Sequence, residues 1–177
     1  MKATGIVRRI DDLGRIVIPK EIRRTMHIRE GDPLEIFVGS GEIVFKKYSI
    51  MGDLESFVAG YADTLHKDLS LPVAICDHEH IIASGGIPKR EIEKTRPGTA
   101  LTLLMQNRAS YTLDDTNAFY PLDGFEKTAL IVIPILSLGD VLGALIVFTN
   151  DTHGKPTDTE LKLTKLTANL IAKQVET

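Results

Sequence analysis

The stretch Thr4-Gly5-Ile6-Val7-Arg8-Arg9-Ile10-Asp11-Asp12-Leu13-Gly14-Arg15-Ile16-Val17-Ile18-Pro19-Lys20-Glu21-Ile22-Arg23-Arg24 decides how this chain folds. Gly5–Ile10 reads as a strand, Asp11-Asp12-Leu13-Gly14 as a turn, and Arg15–Ile18 as a second strand rich in β-branched residues. Pro19 suits the first turn of a helix, where the N–H it lacks would have no partner anyway. On a helix spanning Pro19–Met26, Ile22 and Met26 fall four residues apart and are expected to face a core. Lys20, Arg23 and Arg24, at i, i+3 and i+4, share a different face. Arg8 and Arg9 end the first strand and Arg15 opens the second, so the turn gathers them. Five arginines and one lysine thus come from two adjacent elements, with Asp11 and Asp12 beside them. The planar, permanently charged guanidinium matches phosphate oxygens and the guanine edge. The plainer reading is a solvated helix face with ordinary ion pairs such as Glu21 with Arg24.

Charge is distributed unevenly around this stretch. The whole chain of 177 residues carries a net charge of -3, yet up to Lys47 there are 10 basic residues against 7 acidic ones. From Tyr48 onward the counts are 11 and 17. A cationic head on an acidic body suggests a polyanion as partner. Beyond the basic stretch, Leu34–Val38 alternates as a strand should, Gly39-Ser40-Gly41 turns, and Glu42–Lys46 returns as its hairpin partner. The head is small, about 50 residues, and domains of that size bury little surface alone. A core shared between two copies would remedy this, so an obligate dimer is expected.

Met51-Gly52 marks the seam, giving domains 1–50 and 51–177. Asp53 is expected to cap a helix on which Leu54, Phe57, Val58, Tyr61 and Leu65 form the apolar stripe. Pro72–Cys76 and Ile81–Ala83 read as strands around the polar turn Asp77–His80. The segment from Gly85 to Leu122 is mixed, with a short helix within Ile87–Arg96 and one strand near Tyr111. Ala129–Ser137 and Val141–Thr149 form a hairpin so apolar that both faces should be covered. Thr157 or Asp158 opens a last helix with Leu161, Leu166, Leu170, Ile171 and Val175 as its stripe. The architecture expected is α+β, a sandwich of helices and antiparallel strands.

The residues from Thr4 through Pro19, followed by Glu21-Ile22-Arg23-Arg24, resemble the signature of the AbrB family of transition-state regulators over about Lys2 to Lys47. The resemblance implies a swapped-hairpin β-barrel, in which two chains interlace their strands into one dimeric domain. It implies DNA contact by Arg8, Arg15, Arg23 and Arg24, with Arg9 where that family often has a basic residue; Lys20 joins them from its place on the helix. Val132-Ile133-Pro134-Ile135 and Leu138–Phe148, followed by a long helix, resemble a GAF domain, a small-molecule sensor fold here read as an α/β sandwich. The pairing of the two is similar to that of a sporulation regulator of endospore-forming bacteria.

These readings converge on a sequence-selective transcription regulator. Its expected partners are double-stranded promoter DNA and copies of itself: a homodimer through the head, a homotetramer through the GAF-like helices. Whether those helices pack within one chain or across subunits stays open, as does the small molecule, for which no ligand residues are indicated. No apolar run is long enough for a bilayer and no signal peptide is visible, so a cytoplasmic location is expected. No cofactor, metal or catalytic residue is expected. Asp77-His78-Glu79-His80 reads better as a polar turn than as metal ligands, and the lone Cys76, within an apolar strand, as a buried thiol. Two other functions compete with this one: an antitoxin, since the swapped-hairpin domain also occurs in toxin–antitoxin pairs, and a GAF-fold redox enzyme, which would need cooperating cysteines.

Overall fold

The computed structural model describes residues 4–26, 28–48, 51, 54–114, 118–150 and 154–176. Asp53, expected as a helix cap, lies outside them. The chain divides into two compact units, Met1–Tyr48 and Ser49–Thr177.

In the first unit, helix α1 spans Lys20–Thr25 with Pro19 at its N-cap. Strands β1 (Leu34–Gly39) and β2 (Glu42–Lys47) pair antiparallel from Leu34↔Lys47 to Gly39↔Glu42. The two strands expected over Gly5–Ile10 and Arg15–Ile18 belong to no sheet. The reason is visible in the burial: among the described residues of this unit, Pro19 alone is buried. An apolar strand with no ladder partner and no packing surface gains nothing from adopting the sheet conformation. Val7 stays 83% exposed and Met26, expected to face a core, 56%. Ile22 is half-buried.

The second unit has a full core. A five-stranded antiparallel sheet runs in the order β4-β3-β9-β8-β6, from β3 (Val73–Cys76), β4 (Ile81–Gly85), β6 (Tyr111–Thr112), β8 (Ala129–Ser137) and β9 (Asp140–Phe148). Helices α2 (Glu55–Leu69) and α5 (Asp158–Val175) cover one face, with Val58, Ala62, Leu65, Ala168 and Ile171 packed against Val73, Ile75, Leu145 and Val147. The other face holds Ala74, Cys76, Val132, Ile146 and Phe148. It is covered by Ile92 of the short helix α3 (Lys89–Ile92), by Leu101 and Met105 of helix α4 (Thr99–Gln106), and by Phe125. Burial on both faces explains why β8 and β9 are almost wholly apolar. A two-residue pair, β5 (Arg96–Pro97) with β7 (Leu122–Asp123), ties together the ends of the segment that holds α4 and β6. Gly143 is required at the β3–β9 contact, since a Cβ there would stand 1.9 Å from the Cys76 carbonyl oxygen.

Two details depart from the sequence reading. Helix α4 lies in the segment left as mixed. On α5 Ile171 faces inward as expected, joined by Thr164, Ala168 and Ala172, while Leu166 and Leu170 are 54% and 42% exposed. Small residues let the helix axis approach the sheet, and Thr164 remains satisfied because its hydroxyl donates to the Glu160 carbonyl at 2.7 Å. Thr157 provides the N-cap in a reciprocal box with Glu160.

Candidate nucleic-acid interface

The cationic residues sit on two local frameworks of the first unit. The first is the turn after Arg8 and Arg9. Its geometry is fixed by Asp11, whose Oδ1 accepts from the backbone N–H of Leu13 at 3.0 Å and of Arg15 at 2.7 Å. The main chain closes the same turn: Gly14 N–H donates to Asp11 O, and Asp11 N–H donates to Arg15 O, both at 3.0 Å. Gly14 holds φ +76°, a left-handed conformation that a side chain disfavours. The second framework is α1, which carries Lys20, Arg23 and Arg24. Arg23 and Arg24 lie in its last turn, where cations complement the helix dipole. That is a structural benefit, and it leaves their heads available.

Arg8, Arg9, Arg15, Lys20 and Arg24 are exposed, and Arg23 is half-buried. Arg15 donates from Nε to Asp11 Oδ2 at 2.8 Å. Among the described residues no acid pairs with Arg8, Arg9, Lys20, Arg23 or Arg24, and the Glu21–Arg24 pair of the plainer reading does not form. Arg8 Nη1 donates only to the neighbouring Val7 carbonyl, at 3.1 Å. Hydrogen bonds from the Arg15 backbone and side chain hold the Asp11 carboxyl below its usual range. The sequence reading noted Asp11 only as a nearby acid; its four-residue spacing to Arg15 across a Gly-containing turn was the available signal.

The candidate chemical groups of the second unit are otherwise engaged. Cys76 is fully buried, and burial pushes its thiol up to about 12. Asp77 caps the turn by accepting from the N–H groups of Glu79 and His80, each at 2.7 Å. His78 Nε2 lies 2.7 Å from the Val141 carbonyl. Among the described residues no cluster of three or more His, Cys, Asp or Glu is placed to hold a metal.

Residues 53–176 match the family described as "Stage V sporulation protein T C-terminal, transcription factor". Stage V sporulation protein T of Bacillus subtilis (strain 168) is 44% identical over 180 residues, covering 99% of each chain. The chain belongs to the stage V sporulation protein T family. This family joins two units whose separate relatives are also recognisable. Residues 7–51 match the family "Antidote-toxin recognition MazE, bacterial antitoxin". The transition state regulatory protein AbrB of B. subtilis is 60% identical over 48 residues, which are 27% of this chain and 50% of AbrB. The GAF domain from Acinetobacter phosphoenolpyruvate-protein phosphotransferase aligns with a TM-score of 0.52 at 11% identity, over 74% of this chain and 84% of that one. At that identity the likeness is one of fold: the C-terminal unit of this stage V sporulation protein T family member is GAF-like.

Proposed function

We infer that this transcription factor family member binds promoter DNA through Arg8, Arg9, Arg15, Lys20, Arg23 and Arg24, as a dimer sharing one head. The observation that carries the reading is that, among the described residues, five cations lack an acidic partner in a unit where Pro19 alone is buried. Unpaired arginines on two adjacent elements suit phosphate and guanine edges. Ile6, Val7, Ile10, Val17, Ile36, Val38, Ile43 and Phe45 are all exposed. Each such side chain stabilises an assembly by about 1.5–3 kcal/mol when fully covered, which is the reason to expect a second copy. An apolar groove of about 280 Å³ between the N-terminal segment and α1, lined by Ile6, Ile22 and Met26 among others, supplies one surface for its strands.

In this reading the swapped hairpin gives Gly5–Ile10 and Arg15–Ile18 the ladder partners that a single chain lacks. The GAF-like unit joins two heads into a homotetramer through the outward residues Phe57, Leu166 and Leu170 of α2 and α5. Any small molecule it senses remains unassigned to residues. A regulator acting on the chromosome works in the cytoplasm, and among the described residues no helix is long and apolar enough to cross a membrane.

The test is direct binding of the full-length protein to promoter fragments with no other protein present. The account expects binding by the wild type and its loss when Arg8, Arg15, Arg23 and Arg24 are all replaced by alanine in a chain that still folds. Wild-type-like binding by that variant overturns the assignment, and a requirement for a toxin-like partner would favour an antitoxin.

A further inference from the structure

Asp11 is an anion in the middle of a surface read as DNA-binding, where simple electrostatics makes it a liability. Its carboxylate nevertheless makes three hydrogen bonds, and two of them go to one residue. Oδ1 takes the Arg15 backbone N–H at 2.7 Å and Oδ2 takes the Arg15 side-chain Nε at 2.8 Å. The third, to Leu13 N–H at 3.0 Å, ties the same oxygen to the turn. A free arginine side chain samples many rotamers and loses that freedom on binding. One gripped at both its backbone and its Nε is held in a single direction before DNA arrives. The grip uses only the Nε edge, so both terminal Nη groups remain to donate, the pair a phosphate or a guanine edge requires.

We propose that Asp11 is a positioning residue that pre-orients the Arg15 guanidinium for its DNA contact. The proposal rests on the reading of Arg15 as a DNA contact. It makes a prediction opposite in sign to the electrostatic one: deleting this anion weakens specific binding instead of strengthening it.

The experiment is a double-mutant cycle on the full-length protein with Asp11→Asn, Arg15→Ala and the combination, measured on a specific promoter site and on unrelated duplex DNA. Asparagine keeps an oxygen to accept the two backbone N–H groups, so the turn persists, but it presents an NH₂ to Nε and releases the guanidinium. The expected result is a fall in specific affinity on the order of 5-fold, the scale of an exposed ion pair repeated in two chains. Affinity for unrelated DNA should hold or rise, because a negative charge has left the face. In the Arg15→Ala background, Asp11→Asn should then cost nothing further. Unchanged or tighter specific binding by Asp11→Asn overturns the proposal. A loss of equal size in both backgrounds also overturns it, showing that Asp11 serves the turn alone. If Arg15→Ala itself binds the specific site normally, what fails is the assignment of Arg15 to DNA, and with it the need for a clamp.

Discussion

The Cys76 thiol, on the last residue of β3, is fully buried and donates to the Ala144 carbonyl of strand β9 at 3.7 Å. Burial disfavours the thiolate, which is the reactive form, so this residue has the chemistry of a small core side chain. A thiol reagent added to the native protein should label it no faster than the second unit unfolds, and labelling should become rapid in denaturant. Fast labelling of the native protein would place Cys76 at an accessible surface and reopen a redox role. Asp11 shows the opposite case of an exposed group with a clear charge preference. Its folded value is depressed, so whatever its ionised form contributes is fully present above the ordinary carboxylate range and is lost only as pH falls through the folded value. The Asp11–Arg15 grip therefore gives specific binding no pH dependence between about pH 6 and pH 8.

Helix α5 shows how an element can be legible in existence and only partly legible in orientation. Its start at Thr157 follows from a capping residue with Glu160 three positions on, and its length from the absence of Gly and Pro through Val175. Of the expected stripe, Ile171 is buried and Leu161 and Val175 pack against the core, whereas Leu166 and Leu170 turn outward and Thr164, Ala168 and Ala172 are buried in their place. Small residues signal close approach only once the sheet is known to lie there. The exposed leucines then need another occupant, and a second GAF-like unit is the one proposed above. Replacing Leu166 and Leu170 together with glutamate should leave the fold intact, since neither is in the core, and should halve the mass seen by light scattering from tetramer to dimer. A variant that stays tetrameric removes α5 from the pairing surface. Phe57, stacked edge-on to Tyr61 at 5.0 Å on α2, is the next place to look. The β8–β9 hairpin was readable in full because burial on both faces leaves an unmistakable apolar run. Helix α4 was not: Leu101, Leu103, Leu104 and Met105 crowd one short segment, and this hides which of them turns inward. In the head, the turn at Asp11–Gly14 and the helix after Pro19 were plain from residue type. What sequence cannot show is that the flanking segments Gly5–Ile10 and Arg15–Ile18 find no ladder partner among the described residues of their own chain.

The molecule as a whole pairs a unit that has a core with one whose described residues form none. The second unit closes two apolar clusters, one on each side of its sheet, and folds on its own terms. The head leaves Val7, Ile10, Val17, Ile36, Val38, Ile43 and Phe45 exposed, and in the function proposed above its stability is drawn from association. Residues 1–50 alone should therefore unfold with a thermal midpoint that climbs with protein concentration, as linkage requires when a dimer melts to monomers. A folded monomer at micromolar concentration, with a midpoint independent of dilution, contradicts the shared core. The proposed dimer doubles the cationic set, and this gives the central claim its most direct measurement: the dependence of DNA affinity on salt. If Arg8, Arg15, Arg23 and Arg24 each meet a phosphate in both chains, about eight counterions are released per dimer, and log K against log salt should fall with a slope of about -7. Replacing one phosphate-bound arginine with alanine should flatten that slope by about two, one contact per chain. A slope near zero in the wild type, or one unmoved when all four arginines are removed, would contradict the account.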